Sequence, residues 1–267
     1  MRGSFTKAET GLLLFCVVLL AAALFAPALA QPAHAHDFAD QRTLWSVPCA
    51  LDVLSNLPFA IAGVFGLFAL RRVEAGALSA VQSGCSALFF VGLIVTACAS
   101  GFYHWRPDDV GLAVDRAGMS VAFAGLLGLL VGTHVSDRGG RAMAIAVMLL
   151  APAAVAAWFF TGNVLPWALV QFGGIPLLLL FAFAAPRGAG LHVRWAWIVA
   201  AYAVAKAFEM NDATIFAATG ELLSGHTLKH LAAAFAAVPV IAGVAALSGG
   251  QNAPKQEAAA ASRMRSA

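Results

Sequence analysis

Charge is what this sequence most lacks. Of its 267 residues only 11% are Asp, Glu, Lys or Arg, against about 25% in a soluble domain. A water-facing exterior cannot be built from so little polar material, so soluble classes are excluded. Cysteine is scarce too. Cys16, Cys49, Cys85 and Cys98 are the only four, three lie in apolar segments, and no CxxC occurs. That excludes a disulfide framework and reads as small core residues. The in-out alternation of a barrel strand is missing, and no internal repeat is visible. The net charge of +3 calls for no nucleic-acid partner, because its distribution follows membrane topology.

What is present is apolar length. The chain is 61% hydrophobic, enough for seven or eight spans of about 20 residues each. Eight Ala- and Leu-rich segments stand out: 11–30, 53–70, 80–104, 110–133, 142–160, 164–185, 195–219 and 226–247. Their length and lack of alternation predict an all-α polytopic bundle. Pro152 and Pro176 inside them are tolerated in membrane helices. The first segment admits two readings. Arg2 and Lys7 precede an apolar stretch that ends in ALA at 28–30, the pattern of a signal peptide; the same residues equally make an extra transmembrane helix. Residues 1–30 are one or the other, 40–247 form a seven-helix core, and 248–267 read as a disordered cytoplasmic tail.

Lys and Arg set the expected orientation. With the N-terminus inside, the inner side holds Arg2, Lys7, Arg71, Arg72, Arg138, Arg141, Arg187, Arg194, Lys255, Arg263 and Arg265, and the outer loops only Arg42 and Arg106. An integral membrane protein of a bacterial inner membrane, with a cytoplasmic C-terminus, fits this bias. Trp45, Trp105, Trp158 and Trp167 then fall near the outer boundary as an aromatic belt.

The same orientation gathers polar residues at one depth. The segment 80–104 ends outward with Ser100 and His104 four residues apart on one face. The segment 110–133 begins outward, with Asp115 in its first two turns. The last segment opens with SGHTLKH, placing His226 and His230 one turn apart. Three imidazoles from two helices suit a zinc ion with an open fourth position. A nearby carboxylate can orient water and move its proton. Each feature alone has a plainer explanation: an HxxxH pair also occurs at headgroup interfaces, and Ser is common as helix-packing glue. An intramembrane Asp is the harder one to dismiss.

Taken together, Ser100-x-x-x-His104, Asp115 eleven residues on, and His226-x-x-x-His230 in the last helix resemble the signature of the alkaline ceramidase family. That family belongs to a superfamily of seven-helix membrane hydrolases that includes the progestin/adiponectin receptors. DVLSNLPFAIAGVFG at 52–66 resembles its first core helix, and the likeness spans about 40–247. The resemblance implies a zinc amidohydrolase. His104, His226 and His230 would hold zinc, Asp115 would position water and carry its proton, and Ser100 would hydrogen-bond near the zinc. The substrate would be a membrane lipid, an N-acyl sphingoid or related lipid cleaved to a fatty acid and a long-chain amine. The stretch HDFADQRTLWSVPCALD departs from the family's acidic calcium site, so calcium is doubtful.

Other polar residues have smaller roles in this reading. Lys206 and Glu209 form an internal salt bridge, with Asp212 as a candidate support for the outer site. His34 and His36 lie in a solvated loop, and His134 and His192 at the inner interface. The competing function is a receptor or scaffold with structural zinc and no turnover. A haem clamp is disfavoured, because His226 and His230 share one face. A proton or ion pathway through Asp115, Glu209 and Asp212 is a further alternative. Oligomeric state is not legible.

Overall fold

Prolines and short polar caps cut the apolar runs into helices. The computed structural model describes residues 4–188 and 190–248. The expected tail 249–267, with Lys255, Arg263 and Arg265, lies outside the described residues, as does Arg2. The described chain is all-helical apart from two isolated bridges. In order it runs α1 (Lys7–Phe25), α2 (Ala50–Leu54), α3 (Leu57–Arg71), α4 (Ala80–Trp105), α5 (Asp109–His134) and α6 (Asp137–Thr161). Then come α7 (Leu165–Phe181), α8 (Trp195–Met210), α9 (Asp212–Ala218), α10 (Gly225–Phe235) and α11 (Val238–Ala245).

Among the described residues six helical stretches, two of them broken within, are long and apolar enough to cross a membrane, and α7 is a shorter apolar helix. Large apolar side chains such as Phe65, Leu149, Phe160, Leu180 and Phe183 face outward. An apolar exterior of that extent marks a surface covered by lipid or another apolar phase.

All eight expected segments are helical, but three are broken. Pro58 at the start of α3 cannot continue α2, because its ring clashes with the carbonyl four residues back. Pro239 does the same between α10 and α11. The third break, at Asn211 between α8 and α9, has no proline; the Asn211 amide donates back to the Ala207 carbonyl at 2.8 Å. The other boundaries follow ordinary capping. Ser79 and Gln82 form a capping box on α4, Asp108 caps α5 through Gly111 N–H, and Ser136 caps α6. Pro107 follows α4, and the residue before a proline avoids helical geometry.

The α4–α5 pair is the spine of the bundle. A Cβ on Gly92 would lie 2.3 Å from Ala122 N, and one on Gly125 would lie 2.2 Å from Phe89 N. Small residues are thus required where the two backbones touch, the usual device of membrane helix pairs.

Ion pairs mark one end and hydrogen bonds the other. At one end Arg138 pairs with Glu9 of α1 at 2.6 Å, and Arg187 pairs with Asp137 at 3.2 Å. At the other end Asn163 accepts from Leu29 N–H, and Val164 N–H donates to the Leu29 carbonyl. The helix α1 therefore spans the bundle and is tied at both ends.

Several expectations need correction. Trp158 and Trp167 are not belt residues. They are 3% and 2% exposed and hold the Arg116 guanidinium, whose carbon lies 4.1 and 5.8 Å from their ring centres. Of the four expected belt residues, only Trp45 and Trp105 are exposed. Cys98 is exposed and Cys16 partly so, leaving Cys49 and Cys85 as buried core thiols. His134 is not simply interfacial: its Nε2 accepts from Trp195 Nε1 at 2.9 Å, and its ring stacks on Phe181.

Candidate metal centre

The end of the bundle marked by Asn163 carries the polar cluster. His104 lies on the last turn of α4, where Pro107 stops the helix. Ser224 caps α10 by accepting from Thr227 N–H at 2.9 Å, which puts His226 in the first turn and His230 in the second. Gly225 allows the close approach: a Cβ there would meet the Phe208 carbonyl oxygen at 2.2 Å and Asp212 Cα at 2.7 Å. A larger residue would push α10 away from α8 and carry both histidines with it.

The three imidazoles converge. All are buried, and one ligand nitrogen from each lies within 4.8 Å of the others. His104 Nε2 and His226 Nε2 are 3.3 Å apart. Two nitrogens bound tetrahedrally at about 2.05 Å to one zinc ion would be about 3.3 Å apart. The His104–His226 spacing is thus that of two ligands on one ion, and the three imidazoles together could hold a metal ion. Among the described residues they are the one group of three or more His, Cys, Asp or Glu side chains so arranged.

His230 is oriented from behind. Its Nδ1 lies 2.7 Å from Ser55 Oγ, while Ser55 donates to the Asp52 carbonyl at 2.9 Å. With its proton committed to Asp52, the Ser55 oxygen accepts from His230 Nδ1–H. That fixes the tautomer leaving the Nε2 lone pair toward the other histidines, the usual outer partnership of a metal-binding His. Asp52, fully buried, anchors the same corner: its Oδ1 accepts from Thr227 Oγ1 at 2.6 Å and from Ser224 Oγ at 3.3 Å. His104 Nδ1 has no such protein partner.

The loop 31–49 covers the cluster. Phe38 is buried, with its ring 4.7 Å from His104 and 4.6 Å from His226. Asp212 pins both sides of this contact, accepting from Ala39 N–H at 2.9 Å and from His226 N–H at 2.7 Å. It therefore sits beside the histidine cluster, bonded to the backbone on both sides. Asp40 and Arg42 form a bidentate pair, and Arg42 also donates to the Leu222 carbonyl. Burial pushes the Asp40 carboxyl up, but the Arg42 guanidinium outweighs it and holds the group below the usual carboxylate range. His34 is exposed as expected. His36 is half-buried and bridges Tyr103 and Asp109.

Beneath the histidines lies a cavity of about 190 Å³ with mostly apolar walls, including Phe59, Leu93, Met119, Phe123 and Leu178. Ser100, Asp115 and His230 line it together. Asp115 Oδ1 is buried there without a hydrogen-bond partner. All five residues singled out in the sequence therefore meet at one place, three as a ligand set and two in the adjoining cavity wall. Lys206 and Glu209 do pair, but Lys229 joins them, also bonded to Glu209 at 3.0 Å.

Sequence reasoning missed Phe38, Ser55, Asp52 and Lys229. The signal for Ser55 and Asp52 was available: polar residues inside an apolar run, in the stretch DVLSN. Nothing in one sequence distinguishes Phe38 from the other 18 phenylalanines. No family model matches the chain, and no curated protein or solved structure matches it.

Proposed function

We propose that this protein is an integral-membrane, zinc-dependent amidohydrolase that cleaves the N-acyl amide of a ceramide-like lipid into a fatty acid and a long-chain amine. One observation carries the reading: a cluster of three imidazoles borders, through His230, an apolar cavity whose wall also holds Ser100 and Asp115. A structural metal site would not need a carboxylate and a hydroxyl facing a space shaped for hydrocarbon.

A zinc ion supplies Lewis acidity and makes water a nucleophile near neutral pH. His104, His226 and His230 would hold it, and Ser55 keeps His230 in the tautomer that leaves Nε2 free to bind. Asp115 takes the proton from the attacking water and returns it to the leaving amine. Ser100, beside it, orients the carboxylate or donates to the oxygen on which charge develops. The apolar walls hold the acyl chain, and Phe38 with the 31–49 loop excludes bulk water from above. The Lys and Arg bias would put this end on the outer face of an inner membrane, level with the amide of a lipid lying just below its headgroup.

The test separates ligand from catalyst. Purified protein should hold about one zinc per chain, and His104→Ala, His226→Ala or His230→Ala should each remove most of it. Asp115→Asn should keep its zinc while release of long-chain amine from N-acyl sphingoid lipid in micelles falls roughly 10²–10⁴-fold. Zinc lost together with activity in Asp115→Asn makes Asp115 a ligand. A zinc-loaded wild type with no turnover across N-acyl lipids favours a receptor or scaffold.

A further inference from the structure

The cavity has a second polar wall, which amide cleavage does not use. Lys206 and Glu209 of α8 and Lys229 of α10 line it, with Gln171 and Tyr202 beside them. Glu209 accepts from Lys229 at 3.0 Å through one oxygen and from Lys206 through the other. Two ammonium groups thus share one carboxylate, leaving the trio one net positive charge. An internal salt bridge needs one lysine; the second is surplus to it.

The surplus is directed. Ionisable groups within spans are costly and face bundle interiors or cavities. Each ammonium has three N–H donors. Lys206 spends one on Glu209 and lies 5.7 Å from the Phe172 ring centre. Lys229 spends one on Glu209 and one on His226 Nε2 at 3.0 Å. Were His226 Nε2 to serve as a metal ligand, its lone pair would be taken and this Lys229 donor would need another acceptor. Both side chains remain partly exposed, 32% and 22%. The result is a donor-rich, cationic wall in a mostly apolar cavity that also holds Ser100 and Asp115.

We infer that Lys206 and Lys229 form a recognition site for an acidic group on the amine side of the lipid entering this cavity. The ligand class is an N-acyl amine bearing a carboxylate or phosphate, not a neutral one. As a statement about substrate this rests on the amidohydrolase reading; as a statement about binding it rests on the cavity alone.

The experiment compares binding of N-oleoylglycine and N-oleoylethanolamine to the full chain in uncharged detergent, by native mass spectrometry. The two lipids differ only in a carboxylate against a hydroxymethyl group. Wild type should bind the glycine lipid at least roughly tenfold tighter, as a charge-assisted hydrogen bond implies. Lys206→Met or Lys229→Met should cut that preference to about twofold, because the charge-assisted hydrogen bond is lost. Lys206→Gln and Lys229→Gln serve where a methionine variant does not fold. Glu209→Gln should keep or raise the preference, because it leaves both cations unneutralised; a merely structural ion pair would instead lose out in all three variants. No preference in wild type, or one that survives both lysine changes, overturns the inference. So does oleate binding with equal affinity and the same lysine dependence, which would assign the pair to the acyl product. Hydrolysis of the two lipids is read separately: lysine-dependent binding without turnover strikes the amidase reading and leaves the anion site standing.

Discussion

Replacing Ser55 with Ala deletes one hydroxyl that lies outside the ligand set. Without it, His230 Nδ1–H loses the acceptor seen at 2.7 Å. The metal-free protein can respond by moving the proton to Nε2. The metal-bound protein cannot, because that nitrogen is a ligand. The penalty for a buried unpaired donor, ~1–3 kcal/mol, therefore falls mainly on the bound state. That corresponds to roughly 5- to 150-fold weaker zinc binding, in line with the 10–100-fold typical of outer partners of metal ligands. The assay is competition for zinc with a fluorescent chelator in detergent, with thermal unfolding measured on the same samples. Ser55→Thr, which keeps the hydroxyl, should restore most of the affinity. Wild-type affinity in Ser55→Ala would refute the idea that this hydrogen bond selects the ligating tautomer.

Reporter fusions after residue 109 should be periplasmic and those after 138 cytoplasmic; the opposite pattern would turn the histidine end inward. Gly225→Ala should weaken zinc binding and lower the melting temperature, since its Cβ would meet backbone atoms of α8 and of Asp212 at 2.2–2.7 Å; unchanged zinc affinity would show that α10 has room to move. The Asp40 carboxyl is held below its ordinary range by Arg42, so its contribution to stability is complete above the unfolded value of about 3.9 and fades as pH falls through the folded value. Melting temperature should therefore drop less steeply below about pH 4 in Asp40→Asn than in wild type, and parallel profiles would mean the pair does not hold the 31–49 loop.

Some of this was determined by the sequence alone. Sustained apolar runs with almost no charge leave the backbone few ways to satisfy its hydrogen bonds in lipid, so helices at 80–104, 110–133 and 142–160 follow directly. Pro107 and the Ser224 cap place His104 and His226 at helix ends, and a spacing of four puts His230 on the same face. These are local facts with a period, and a single chain displays them.

Tertiary structure decided the rest. Whether His104 meets His226 depends on how α4 and α10 cross, which rests on glycine contacts such as Gly225 against Phe208. Ser55 became the partner of His230 because Pro58 breaks the helix there and turns the hydroxyl and the Asp52 carbonyl together. Trp158 and Trp167 looked like belt residues by depth, but depth says nothing about which way a ring faces, and both turned inward to Arg116. Lys229 stood between two histidines as an ordinary polar residue of HTLKH until Glu209, on another helix, gave its charge a direction. Periodicity is written along one helix; a partner across the bundle is a matter of packing, and packing depends on all the helices at once.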